Sequence, residues 1–146
     1  MNTKLYTGNG GTQSITGVGF QPDWTWLKNR STSQDSELYD AVRGATYAVH
    51  SNASSDQSSY ANGLNAFGTD GFTVGDRGNI NGSGNNICSW NWKAGGGQGS
   101  SNTAGSINTA YTSVNTTAGF SISTYTGTGS TATVGHGLGV APAMII

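Results

Sequence analysis

Apolar and polar residues alternate in short runs along much of this chain. Trp24-Thr25-Trp26-Leu27-Lys28 sets two aromatics against Thr and Lys. Ile87-Cys88-Ser89-Trp90-Asn91-Trp92-Lys93 puts Cys88, Trp90 and Trp92 on one side, and Phe120-Ser121-Ile122-Ser123-Thr124-Tyr125 alternates again. A period of two is that of a β-strand, whose successive side chains point to opposite faces. Residues 37–42 and 45–49 are predicted strands flanking Arg43-Gly44, and residues 72–74 follow the turn Asp70-Gly71. Short strands at this spacing, separated by turn residues, predict an all-β fold. The architecture expected is an antiparallel β-sandwich or jelly roll with long Gly/Ser/Asn-rich loops. Residues 51–59 are such a loop, and residues 94–106, with Gly95-Gly96-Gly97, read as a flexible connector.

One stretch is written twice. Tyr6-Thr7-Gly8-Asn9-Gly10-Gly11-Thr12 is matched by Tyr125-Thr126-Gly127-Thr128-Gly129-Ser130-Thr131, and Ile15 by Val134. After one inserted residue, Gly17-Val18-Gly19-Phe20-Gln21-Pro22 is matched by Gly137-Leu138-Gly139-Val140-Ala141-Pro142. Trp24 and Trp26 then stand opposite Met144 and Ile146. The offset is 119 residues up to Val134 and 120 beyond it. Each copy reads as strand, Gly-rich turn, short strand, Pro-marked corner and strand. A period of this length is domain-sized and too long for a solenoid unit. Residues 1–105 are therefore expected to form one β-sandwich module. Residues 106–146 are either the start of a second copy or strands that complete the first. An apolar strand ending at Ile146 would be an aggregation hazard if left bare, so it is expected to be paired, within the chain or between subunits.

Composition agrees with this fold. Gly, Ser, Thr and Asn make up about half of the 146 residues, and only 9% are charged, against roughly a quarter in an ordinary domain. The residues that build long helices are scarce. Fourteen aromatics (four Trp, six Tyr, four Phe) inside alternating segments argue against disorder. A net charge of −1 with no basic stripe gives no footprint for nucleic acid. No apolar run approaches the length of a membrane span, so no membrane insertion is expected. The N-terminal residues lack the apolar core of a signal peptide, which implies synthesis in a cytoplasm without a cleavable export signal. Cys88 is the single cysteine, so no intrachain disulfide is available.

The side chains that could carry chemistry do not assemble into a motif. A glycosidase needs two carboxylates across a bond, but the odd spacing of Glu37 and Asp40 on a strand sends them to opposite faces. No nucleophile elbow surrounds any serine, and Cys88, alternating with Trp90 and Trp92, reads as a buried inert thiol. His50 and His136 lie far apart and in no metal-ligand spacing. The glycine runs lack the Lys-Ser/Thr of a phosphate loop. Asp70, Asp76, Asn79, Asn81 and Asn85 offer oxygens to calcium, but in no EF-hand order. Four Asn-x-Ser/Thr sequons, at Asn29, Asn52, Asn81 and Asn115, reflect a composition rich in those residues. The Trp pairs read as core packing in preference to a sugar-stacking platform. A buried Asp40–Arg43 or Asp76–Arg43 pair that fixes a loop is expected in preference to a ligand contact. No catalytic residue, cofactor or metal is assigned. The residues placed best for a glycan or partner contact are Asn52, Tyr60, Asp76, Arg77 and Asn79.

Several runs are specific enough to carry a resemblance. They are residues 6–10, 17–30 (GVGFQPDWTWLKNR), 38–45 (LYDAVRGA), 70–75 (DGFTVG), 90–95 (WNWKAG) and 135–142 (GHGLGVAP). Together they resemble a domain of unknown function that occurs, often in tandem, in virion proteins of tailed phages. That domain stands near tail-fibre, appendage and concanavalin-like (LamG-type) jelly-roll proteins. The resemblance implies a non-enzymatic virion component, a fibre, appendage or capsid-decorating module, in contact with other virion proteins and with copies of itself. A carbohydrate-binding module facing a host-surface glycan is the alternative.

Overall fold

The computed structural model describes residues 1–146. The chain runs through β1 (Asn2–Thr7), β2 (Gln13–Thr16), β3 (Trp24–Asn29), β4 (Glu37–Asp40), β5 (Gly44–Val49), β6 (Ser58–Ser59), β7 (Leu64–Gly68) and β8 (Gly71–Val74). A single helical turn, α1 (Gly78–Asn81), leads to β9 (Asn86–Trp92), and the hairpin of β10 (Tyr111–Asn115) and β11 (Phe120–Thr124) follows. A six-stranded sheet has the order β1-β9-β3-β4-β5-β6, and a three-stranded sheet the order β2-β8-β7. Every pairing between named strands is antiparallel. The antiparallel sheets pack on one another as a β-sandwich, as the alternation predicted.

The core lies between the two sheets. Leu27, Tyr39, Ala48 and Ile87 come from the larger sheet, Ile15, Leu64, Phe72 and Val74 from the smaller, and Ile80 from α1. The period of two places them there: in β3 Leu27 points inward while Trp24 and Trp26 point out of the opposite face. Gly71 opens β8 and pairs with Thr16 of β2 in the smaller sheet. Its backbone is in a region that L side chains rarely adopt, and a Cβ there would strike the Ile15 carbonyl.

The tryptophans do not enter that core. They form a second cluster on the back of the six-stranded sheet. Trp24 and Trp92 rings lie 4.6 Å apart between centroids, Trp26 and Trp90 5.9 Å, and Trp24 and Trp26 6.1 Å. Phe120, the first residue of β11, stacks on Trp24 at 5.8 Å and on Trp92 at 6.1 Å. The hairpin thus covers one end of the cluster and buries Trp24, while Trp26 and Trp90 stay half-buried. A sheet with one face in the core and apolar residues on the other needs such a cover.

Residues 94–99 are not a free connector. The Asp23 carboxylate, fully buried, accepts the backbone N–H groups of Ala94 (2.7 Å), Gly96 (3.0 Å) and Gly97 (2.7 Å). Gly96 and Gly97 have positive φ, which lets successive amides turn toward one anion. Ser100 and Thr112 then exchange backbone hydrogen bonds and begin the hairpin.

The second copy of the repeat behaves unlike the first. In the first, the pattern becomes β1, β2 and β3. In the second, β11 forms, Val134 makes an isolated parallel bridge to Ile107, and no strand follows. Met144, Ile145 and Ile146 are exposed and unpaired within the chain.

Candidate functional site

Polar side chains gather where β4 faces α1. Glu37 opens β4, and its side chain points inward with Tyr39, two residues on. Glu37 is fully buried. Its Oε2 accepts the Tyr39 hydroxyl at 2.6 Å. Its Oε1 accepts Arg77 Nε at 2.7 Å and Asn79 Nδ2 at 2.9 Å. Arg77 ends the β8–α1 connection and precedes the helical turn, whose Ile80 and Asn81 amides donate to the Arg77 carbonyl. The guanidinium carbon lies 3.3 Å from the centroid of the Tyr60 ring, a cation–π contact. The Tyr60 hydroxyl meets His50 Nε2 at 3.4 Å, and His50 Nδ1 meets the Ser36 carbonyl at 3.1 Å.

Three of the five residues proposed for contact, Tyr60, Arg77 and Asn79, therefore converge, and they converge on Glu37. Asn52 turns elsewhere: its Nδ2 donates to Asp35 at 2.7 Å and its Oδ1 accepts the Ser36 amide at 3.0 Å. Asp76 accepts Asn62 Nδ2 at 2.8 Å. Of the two expected arginine pairs, Asp40–Arg43 forms, with Nε to Oδ2 at 2.5 Å and Arg43 also donating to the Leu38 carbonyl. Arg43 has no bond to Asp76.

Burial shapes the tyrosines here. Burial first, then the Glu37 charge and its hydrogen bond, hold the Tyr39 phenol well above the usual tyrosine range. Burial does the same to Tyr6, with Glu37 and Cys88 adding to it. Tyr6 donates instead to the Ile80 carbonyl at 2.7 Å, which ties β1 to α1. Burial also pushes the Cys88 thiol up, as an inert thiol requires.

The oxygens considered for calcium are spent separately. Asp70 accepts the amides of Gly17 (2.9 Å) and Gly19 (2.6 Å). Asn79 serves Glu37. Asn81, fully buried, donates to the carbonyls of Gly75 and Gly11 and exchanges hydrogen bonds with Asn9. No group of three or more His, Cys, Asp or Glu side chains is arranged to hold a metal ion.

Asp70 makes a pH prediction. The amides of Gly17 and Gly19, with the Lys4 ammonium helping, hold its carboxyl below the usual aspartate range. A carboxyl lowered in the folded state stabilises the fold above its unfolded value of about 4, and that contribution fades as pH falls through the lower folded value. Carboxyl NMR should show Asp70 titrating below a free aspartate. Asp70→Asn should flatten the acid limb of the stability profile. A normal titration midpoint would contradict both.

A shallow polar cleft of about 400 Å³ lies beside this cluster, lined by Thr12, Asn62, Asn65, Asp76 and glycine backbone. Asn65 is satisfied when its amide nitrogen faces the carbonyls of Ala61 and Gly63, each 3.0 Å away.

Glu37 as a hub, Asp23 as an anion among amides and Asn81 as a clasp all escaped sequence reasoning. Their partners lie 40 or more residues away in at least one direction. The one local signal was the charge itself: a carboxylate inside a predicted core strand needs a partner.

No curated protein and no solved structure matches this chain. A family does, over residues 1–146, and its description carries no activity. The chain belongs to that family, the domain of unknown function DUF7483.

Proposed function

We propose that this chain is a non-enzymatic structural component of a phage virion: a fibre, appendage or capsid-decorating module. It works through its surfaces, against other virion proteins and copies of itself. The observation that carries the reading is where the polar groups go. Glu37, Asp40, Asp70 and Asp23 each accept hydrogen bonds from residues of the chain itself, and so hold loops on a sandwich. The fold also presents apolar side chains outward: Leu5, Tyr47, Val140 and residues 144–146 are exposed. The resemblance of residues 17–30, 38–45 and 90–95 to phage virion domains supplies the setting. Particles purified from an infected host should contain the chain in many symmetry-related copies, as seen by mass spectrometry and cryo-electron microscopy. Its absence from them would sink the reading.

The polar cleft favours a second reading, a carbohydrate-binding module. Asp76, oriented by Asn62, lines the cleft together with Asn65, and a carboxylate among amides suits the hydroxyls of a neutral sugar. A glycan array with the purified chain tests it: binding should occur and be lost in Asp76→Ala. An array with no hits removes this reading.

A further inference from the structure

β1 runs into the first copy of the repeat at Tyr6-Thr7 and β11 leads into the second at Tyr125-Thr126, and their hydrogen bonds show which edge each uses. Gly8 N–H donates to the Asn85 carbonyl at 2.8 Å, in line with the β1–β9 register. The β9 side chains of Asn91 and Ser89 donate to the carbonyls of Asn2 and Lys4, each at 3.2 Å. Asn2, Lys4, Tyr6 and Gly8 therefore point their backbone groups at β9. In an antiparallel ladder, alternate residues point to opposite edges, so Thr3, Leu5 and Thr7 face away.

β11 is bonded on the other side. Thr112 exchanges backbone hydrogen bonds with Ser100 on the far side of β10, so Tyr111, Ser113 and Asn115 face β11. Their register partners Thr124, Ile122 and Phe120 face β10. That leaves Ser121, Ser123 and Tyr125 pointing at an edge with no strand on it. Tyr125 is the repeat counterpart of Tyr6, and the same 119-residue offset carried back along both strands sets Ser121 and Ser123 against Asn2 and Lys4. β11 thus leaves open the same edge that β1 gives to β9.

The side chains repeat the asymmetry. Tyr6 packs its ring on Phe72, and its counterpart Tyr125 is 54% exposed. Trp24 and Trp26 sit in the aromatic cluster, and their counterparts Met144 and Ile146 are 75% and 74% exposed. Apolar positions that the first copy covers stand bare in the second.

The geometry points to a second copy of this chain as the partner: its β9 takes up β11 on the edge that its own β1 occupies. β1 is an edge strand with one neighbour, so it can be displaced without breaking another pairing. The register carries over from the repeat, with Thr124 in the place of Leu5 opposite Cys88, and Ser123 in the place of Lys4 opposite Ser89. Such a contact is heterologous, so copies join head to tail. It concerns the isolated chain and stands or falls apart from the virion reading.

The native Cys88 supplies the test. Leu5 and Cys88 are a non-hydrogen-bonded pair, in which Cα atoms approach to about 4.5 Å, within disulfide range. With oxidised glutathione as the electron acceptor, Thr124→Cys should form chain-to-chain disulfides that map to residues 124 and 88. Ser123→Cys, whose side chain leaves by the other face, should give about tenfold less of its own link to Cys88. Leu5→Cys should close a disulfide to Cys88 within one chain and lock β1 in place. Once oxidised, that variant should sediment as a monomer at concentrations where the unmodified chain associates. Far-UV circular dichroism checks that each variant is folded. The inference is overturned if folded Thr124→Cys yields no 124–88 link. It is equally overturned if the locked variant associates as readily as the unmodified chain.

Discussion

Arg77→Ala is expected to destabilise the fold by about 3–5 kcal/mol, the cost of leaving a buried charge without its partner. Glu37 is fully buried, and Arg77 is its one ion-pair partner. Truncating the arginine also removes the cation over Tyr60 and frees the start of α1, which Arg77 holds against β4. Urea unfolding monitored by tryptophan fluorescence measures the loss, and the melting temperature should fall by roughly 10 °C for a chain of this size. The double variant Glu37→Gln/Arg77→Met should recover much of the stability, because it leaves no buried charge behind. If Arg77→Ala unfolds at the same urea concentration as the unmodified chain, the pair is not what anchors α1.

Asp23→Ala should cost about 2–4 kcal/mol, because an orphaned buried amide costs about 1–3 kcal/mol and charge-assisted hydrogen bonds are lost with it. The carboxylate accepts three amides, and the Ala94 amide belongs to a residue that is itself buried. The exposed Gly96 amide turns to water at small cost, so most of the loss falls on Ala94. Asp23→Asn keeps one acceptor oxygen and should lose less. The change also has a local signature. Hydrogen exchange at residues 94–97 should accelerate, and protease cleavage should appear between residues 94 and 99. Unchanged exchange there would mean that the winding of this segment does not depend on Asp23.

The two sites differ in how far they could be read from the chain. The strand pattern gave the positions of β3, β5, β8, β9 and β11 to within a residue or so, because a period of two is a local property. Residues 37–42 stop pairing at Asp40, where Asp40 turns back to Arg43. β7 and β10 carry no such signal, because the apolar residues of Leu64–Gly68 (Leu64, Ala66, Phe67) and of Tyr111–Asn115 (Tyr111, Val114) do not alternate, and the register of β7 shifts between Leu64 and Ala66. The Glu37 cluster was visible only in pieces. Tyr60, Arg77 and Asn79 each stand in polar, turn-rich sequence that marks them one by one, but Glu37, which unites them, lies 40 residues from Arg77 and carries no local sign of that role.

The tryptophans show the same limit from another side. Their i, i+2 spacing placed each pair on one face of a strand, which is correct. Which face became the core was not a local matter. Leu27 and Ile87 meet the smaller sheet, while Trp24 and Trp92 meet the hairpin, and that choice depends on where β2, β7, β8 and β11 arrive.

What this sequence determined by itself was periodicity: strands, turns, the all-β class and the fact that one stretch occurs twice. These follow from short-range sterics and from alternation, which any few residues express. Only the tertiary structure decided that the flexible-looking Gly95–Gly97 run winds around Asp23, that Glu37 gathers α1, and that the two copies of the repeat use opposite edges. Hydrogen bonds between residues 40 to 75 positions apart, and the presence or absence of a neighbouring strand, set those outcomes, and nothing within a local window encodes them.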